Sequence, residues 1–273
     1  MIIDIHTHVI KLPDTSLKES YEKNRNSLIE QMDKEKIDKT FIVAGFRKED
    51  DGFNITTKAL IDLIAEHRNL YAIGSMDATD IVREDIDQVE KWLKERLILG
   101  IKIYSGYQHI YPSSKTLIPV YELALKYDAP IMFHSGDTLA GYVANPKLKY
   151  SHPLQIDDVA ADHPNLKIII AHAGNPWFTD CAEVLYKNPN VFADISGLII
   201  GDDLRTPYGG MMRQKIEEFI TYVGSDEKLL YGTDWPLCPM KTYLDFAKNL
   251  PLSSKGFDHL FYKNAAHLFK LND

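Results

Sequence analysis

Eight short apolar runs, each followed by a longer amphipathic segment, constrain this chain more than any single motif does. The runs are residues 2–6, 40–44, 70–76, 99–104, 130–134, 167–172, 191–195 and 229–234. They are continuously apolar rather than alternating, the pattern of parallel strands buried on both faces. Between them, apolar residues recur at helical spacing: Leu28, Ile29 and Met32; Ile61, Ile64 and Ala65; Leu117, Tyr121, Ala124 and Leu125; Phe219 and Val223. Ser27 and Glu30 have the spacing of a capping box. Phe257, Leu260, Phe261, Ala265 and Leu268 predict a final packing helix. Eight such units predict one domain over residues 1–273, a (β/α)8 TIM barrel with a C-terminal packing helix. The rival, an open doubly wound sheet, would carry a glycine fingerprint after its first strand, and that fingerprint is missing.

Connection lengths point to one end of the barrel. Those entering strands are short, such as Asp38-Lys39 and Asp128-Ala129, whereas those leaving strands are long, as in residues 105–116, 137–150 and 196–209. In this fold the chemistry lies on the face built by the loops that leave the strands. Polar residues gather there. His6 and His8 end the first run, His134 the fifth, His172 the sixth and Asp234 the eighth. Strand alternation places Asp4, His6 and His8 on one face, with Asp4 either orienting a ligand or simply buried and hydrogen-bonded. Several imidazoles and a carboxylate, with a position left open for water, suit a catalytic zinc site, and another divalent ion would fit the same donors.

Composition narrows the partners. A formal net charge of −8 with no basic block disfavours nucleic acid and leaves a small-molecule substrate as the expected partner. Cys181 and Cys238 form no Cys-x-x-Cys pair, so neither a disulfide framework nor a zinc knuckle is expected, and free thiols suit a cytoplasmic protein. No apolar run approaches membrane-spanning length, and no export signal is read at the N-terminus.

The chain resembles the amidohydrolase superfamily, and more narrowly the amidohydrolase-related branch that includes aminocarboxymuconate-semialdehyde decarboxylase. The resemblance rests on Asp4-Ile5-His6-Thr7-His8, Gly100-Ile101-Lys102, His134-Ser135-Gly136, His172-Ala173-Gly174, Gly232-Thr233-Asp234-Trp235-Pro236 and Asn264-Ala265-Ala266-His267-Leu268-Phe269. His267 stands where that branch often has Arg, at a position read as structural.

The resemblance implies that His6, His8, His134 and Asp234 hold one divalent ion, Zn2+ for preference. His172 would polarise substrate or shuttle a proton, and Asp234 would take a proton from water. Lys102 stands where dinuclear members place a carbamylated Lys or a Glu between two metals. The alternative reading, a Lys that pairs with a site carboxylate or with substrate, is preferred. A homodimer is expected by resemblance alone.

Arg47 and Arg205 are candidates to grip a substrate carboxylate. Tyr104, Tyr107, Tyr111, Tyr142, Trp177, Tyr208 and Trp235 are candidates to wall a pocket, or else to pack loops. The functional expectation is a metal-dependent hydrolase acting on a small carboxylate-bearing or cyclic substrate. Non-oxidative decarboxylation by the same residues is the alternative. A deoxyribonuclease is disfavoured by Lys102, where that branch has Glu, and a non-catalytic metal-binding barrel by the complete ligand set.

Overall fold

The computed structural model of the chain describes residues 1–49, 55–139, 141, 143–201 and 205–271. All eight apolar runs form strands: β1 (Ile3–Thr7), β2 (Lys39–Val43), β3 (Leu70–Ser75), β4 (Gly100–Ile103), β5 (Ile131–Phe133), β6 (Ile168–Ile170), β7 (Val191–Asp194) and β8 (Leu229–Leu230). They pair in parallel, in sequence order. The helices are α1 (Leu17–Glu35), α2 (Thr57–Ile64), α3 (Arg83–Lys94), α4 (Ser105–Gln108), α5 (Ile118–Tyr127), α6 (Asp157–Asp162), α7 (Phe178–Lys187), α8 (Pro207–Val223), α9 (Met240–Lys248), α10 (Ser254–Asp258) and α11 (Asn264–Phe269). The architecture is a (β/α)8 barrel. No helix among the described residues is long and apolar enough to cross a membrane.

Strand alternation divides the core in two. Ile42, Ala44, Ile101, Ile103, Ile168 and Ile170 pack outward against the helices. Phe41, Val43, Ile73, Met132, Ile169 and Leu230 form a second cluster with Ala265, Leu268 and Phe269 of α11. The C-terminal segment is therefore a plug for the barrel as well as a packing helix. It is continuous from α10 through a π-helical stretch, His259–Lys263, into α11.

The first helix begins earlier than its capping-box reading suggests. Ser16, not Ser27, caps α1, and its hydroxyl accepts from the Glu19 amide. Ser16 and Glu19 have the same spacing as Ser27 and Glu30, and local spacing does not rank the two. The buried stripe of Tyr21, Leu28 and Met32 extends the helix back to the earlier pair.

Barrel closure is short and falls at the mouth. β8 has two residues of regular ladder, but beyond it the Asp234 amide donates to the His6 carbonyl at 2.7 Å and the His8 amide to the Trp235 carbonyl at 2.7 Å. A β-bulge accompanies the closure. From Asp4 to Thr7, β1 advances three residues while β2 advances two, from Thr40 to Ile42. Such a slip moves following side chains to the opposite face. Asp4 therefore does not share a face with His6 and His8, contrary to simple alternation. It instead accepts from the Thr233 amide at 3.0 Å, the Thr233 hydroxyl at 2.6 Å and the His6 amide at 3.1 Å, tying β1 to the segment after β8.

Candidate metal and active site

The strand ends bring His6, His8 and Asp234 together. His8 Nε2 lies 3.2 Å from Asp234 Oδ1, and His6 Nε2 lies 3.9 Å from the same oxygen. Two ligands each about 2 Å from a tetrahedral zinc stand about 3.3 Å apart, so this nitrogen-and-oxygen set fits a divalent cation. The imidazole of His6 is ready for that role. Burial pushes its pKa down to about 3, which keeps it neutral. Its Nδ1 donates to Asp194 Oδ2 at 3.0 Å, leaving the Nε2 lone pair turned toward Asp234.

Asp234 sits in the left-handed region, at φ 65°, on the turn that leaves β8. Burial would raise its pKa. The hydrogen bond with His8 and electrostatic attraction to the rings of His172, His6 and His8 override that and hold the carboxyl well below the usual range, so it is ionised.

Behind this trio is a second layer that sequence reading missed. Asp194, the last residue of β7, is completely buried. Its Oδ1 accepts from the amides of His172 and Ser196, each at 3.0 Å, and from the Ser196 hydroxyl at 2.5 Å. Burial opposes its ionisation, but His6, His172 and Lys102 more than compensate and hold its pKa below the usual range. Ser196 Oγ is 3.0 Å from His6 Nδ1 and 2.9 Å from His172 Nδ1. His172 Nδ1 also meets the Ser196 carbonyl at 3.1 Å, which only accepts. Nδ1 therefore carries the proton and Nε2 the lone pair. His6, His172 and Asp194 cluster closely enough for a second cation, but the Nδ1 atoms of both imidazoles are already donors in this network. Gly197 makes the arrangement possible: its φ is +68°, and a Cβ there would lie 2.8 Å from His172 Nδ1 and 2.9 Å from Asp234 Oδ2. The available signal was a polar pair, Asp194 and Ser196, at the C-terminal end of an apolar run, the position that also drew attention to His134 and Asp234.

His134 follows β5 on the same rim, its ring 5.1 Å from that of His172. Its Nε2 donates to the Asp137 carbonyl at 2.8 Å, which leaves Nδ1 as the nitrogen with a lone pair. Lys102, on β4, is completely buried, and its ammonium has no hydrogen-bond partner. It lies 5.3 Å from the Tyr104 ring centroid. Burial pulls its pKa down to about 8, while Asp194 and Asp234 pull upward.

His6, His8, Lys102, His134, His172 and Asp234 form the floor of a cavity of about 640 Å³, a volume suited to a small organic ligand. Of the aromatic residues for which the sequence leaves wall and loop-packing roles both open, Tyr104, Tyr107 and Tyr208 stand in the wall. Two of the proposed substrate contacts do not. The Arg47 guanidinium is exposed over the Phe46 ring, and Trp177 packs on His152 at the start of α7. Both leave strand ends, but neither side chain lines the cavity. Arg205 is exposed outside the wall, Trp235 is buried in the core, and Tyr111 packs on Tyr150. Tyr142 lies outside the described residues. Both cysteines are buried and free.

A parallel barrel with imidazoles and a carboxylate converging at its C-terminal mouth defines a metal-site TIM-barrel protein. The chain belongs to the Amidohydrolase family, whose model matches residues 3–271. No curated protein matches it in sequence. Similar solved structures include a probable 2-pyrone-4,6-dicarboxylic acid hydrolase from Acinetobacter baumannii, at 16% identity and a TM-score of 0.70, with 99% of each chain covered. The 5-carboxyvanillate decarboxylase of Sphingomonas paucimobilis is 14% identical, with a TM-score of 0.71 and 99% of each chain covered. A zinc-bound amidohydrolase from Burkholderia multivorans is 15% identical, with a TM-score of 0.70 and 100% of each chain covered. At these identities the likeness is one of fold.

Proposed function

We propose that this protein is a metal-dependent hydrolase of a small carboxylate-bearing or cyclic substrate. The observation that carries this reading is the convergence of His6 Nε2, His8 Nε2 and Asp234 Oδ1 on the floor of the cavity, beside an imidazole whose tautomer is already set. His6, His8 and Asp234 would hold one divalent cation, with His134 the fourth ligand through Nδ1. Zn2+ is the preferred ion on donor type, and the zinc-bound relative supports it. When bound, the cation supplies Lewis acidity and acidifies water at the site.

The chain's own groups do the rest. Asp234, ionised, accepts the proton of the attacking water. Its Oδ2 and the Nδ1 edge of His172 both border Gly197, which sets the carboxylate and the imidazole on neighbouring sides of one backbone turn. His172 presents an unprotonated Nε2 and delivers a proton to the leaving atom after receiving one. The Ser196 carbonyl and the Ser196 hydroxyl, which itself donates to Asp194, hold that ring in its Nδ1–H tautomer. Tyr104 and Tyr107 wall the cavity and exclude water. The partner on this reading is a small molecule, and the free buried thiols suit a reducing compartment such as the cytoplasm.

The test is a panel of lactones, amides and aromatic acids offered to zinc-loaded protein in 18O-labelled water. One labelled oxygen in the product, lost on chelation, is the expected result. Non-oxidative decarboxylation is the second reading, favoured by the fold shared with the 5-carboxyvanillate enzyme. Release of carbon dioxide without label in the product would establish it instead.

A further inference from the structure

Lys102 is a completely buried ammonium with no hydrogen-bond partner, and it forms part of the cavity floor beside Asp234 and His172. Desolvating such a charge without hydrogen bonds is expensive. A cation held by His6, His8 and Asp234 would add positive charge on the same floor, which leaves the floor short of an anion. The mouth has the opposite character. Leu139, Ile200 and Leu237 are 50%, 55% and 42% exposed and come from the loops after β5, β7 and β8. Ile10, Leu12 and Tyr208 continue this apolar collar. Among the described residues, the only other cation in the wall is the exposed Lys11, and Asp137 stands there to repel a second carboxylate.

We propose that Lys102 anchors the substrate's single carboxylate at the cavity floor, and that the collar selects an uncharged, apolar body, so that the substrate is an amphiphilic monoacid. This rests on the hydrolase reading above and narrows its substrate class. It sets this site apart from one built for a dicarboxylate, the substrate named for the Acinetobacter baumannii relative. Lys102 is a binding residue here, and the carboxylate it holds lies beside the reacting bond.

Calorimetric titration of the zinc-loaded and metal-free protein with benzoate, 4-ethylbenzoate, 4-butylbenzoate and the matching benzamides tests this. The acids should bind at least about tenfold more tightly than their amides. Affinity should rise by up to about fourfold per methylene, the factor for full burial of each group. Lys102→Met should remove the acid preference in metal-free protein and reduce it in zinc-loaded protein, where the cation still attracts the carboxylate, while leaving zinc stoichiometry and amide affinity unchanged. The double variant Leu139→Ser, Leu237→Ser should flatten the chain-length series and spare benzoate. If Lys102→Met does not fold, the acid–amide contrast and the collar variant decide the matter on their own. Equal binding of acids and amides, a flat chain-length series, or a carbamate mass increment on Lys102 with two bound zinc ions would overturn the proposal. Zinc-dependent hydrolysis surviving any of these would leave the hydrolase reading in place. Absence of zinc binding would end that reading while the acid–amide contrast in metal-free protein still stood.

Discussion

His8 Nε2 and Asp234 Oδ1 lie 3.2 Å apart, although one residue follows the first strand of the barrel and the other follows the last. They meet only because β8 closes onto β1, and the same closure bonds the Asp234 amide to the His6 carbonyl. The hydrogen bonds that finish the barrel are thus also the ones that assemble the candidate metal site.

If these donors hold a cation, His8→Ala should abolish stoichiometric zinc binding. Asp234→Asn should keep most of the metal while turnover falls by about 10²–10⁴-fold, the usual contribution of a positioned proton acceptor. Metal analysis of each purified variant beside its turnover number separates the two outcomes. A fully active Asp234→Asn protein would remove Asp234 from the reaction.

Ser196 touches no substrate on this reading; it acts through His172. Replacing it with Ala should lower turnover by about 10–100-fold, as losses of ligand-orienting partners do. The Michaelis constant should stay nearly constant. The distinguishing readout is the 15N imidazole spectrum, where the His172 population should shift away from the Nδ1–H tautomer. An unchanged spectrum would mean that the Ser196 carbonyl suffices.

Gly197→Ala introduces a methyl 2.8 Å from His172 Nδ1 and 2.9 Å from Asp234 Oδ2, at a φ of +68°. Both the crowding and the left-handed backbone oppose it. The expected loss of stability is about 2 kcal/mol or more, read by urea unfolding, together with loss of activity. Wild-type stability in this variant would show that the Asp194–Ser196 segment yields easily.

Two buried groups make stability depend on pH with opposite signs. Burial lowers the His6 pKa to about 3, so between about 6.5 and 3 the unfolded chain holds a proton that the folded one does not, and stability falls as pH falls. Burial raises Asp4 to about 7, against its hydrogen bonds from Thr233 and His6. Between about 3.8 and 7 the folded state holds the extra proton, and stability rises as pH falls. Asp4→Asn removes this second contribution. Metal-free Asp4→Asn protein should therefore lose stability more steeply than wild type on acidification from pH 6.5 to 4, measured as urea midpoints. A slope unchanged or shallower would show that Asp4 is ionised in the folded protein across that range.

Much of this molecule is written locally. Continuous apolar runs specify parallel buried strands, short entries and long exits mark the active end, and His6, His134, His172 and Asp234 declare themselves by ending those runs. Tertiary structure decided what local pattern leaves free. The bulge between Asp4 and Thr7 turned Asp4 away from His6 and His8, because register depends on the partner strand. Loop paths decided that Tyr104 faces the cavity while Arg47 and Trp177 do not. Asp194 and Ser196 became visible only once β7 lay beside β6, where one carboxylate could accept from the backbone of both and from His6. Sequence alone determined which residues reach the rim, because strand length and polarity are local; which of them touch was decided by barrel closure, because contact depends on the packing of the entire chain.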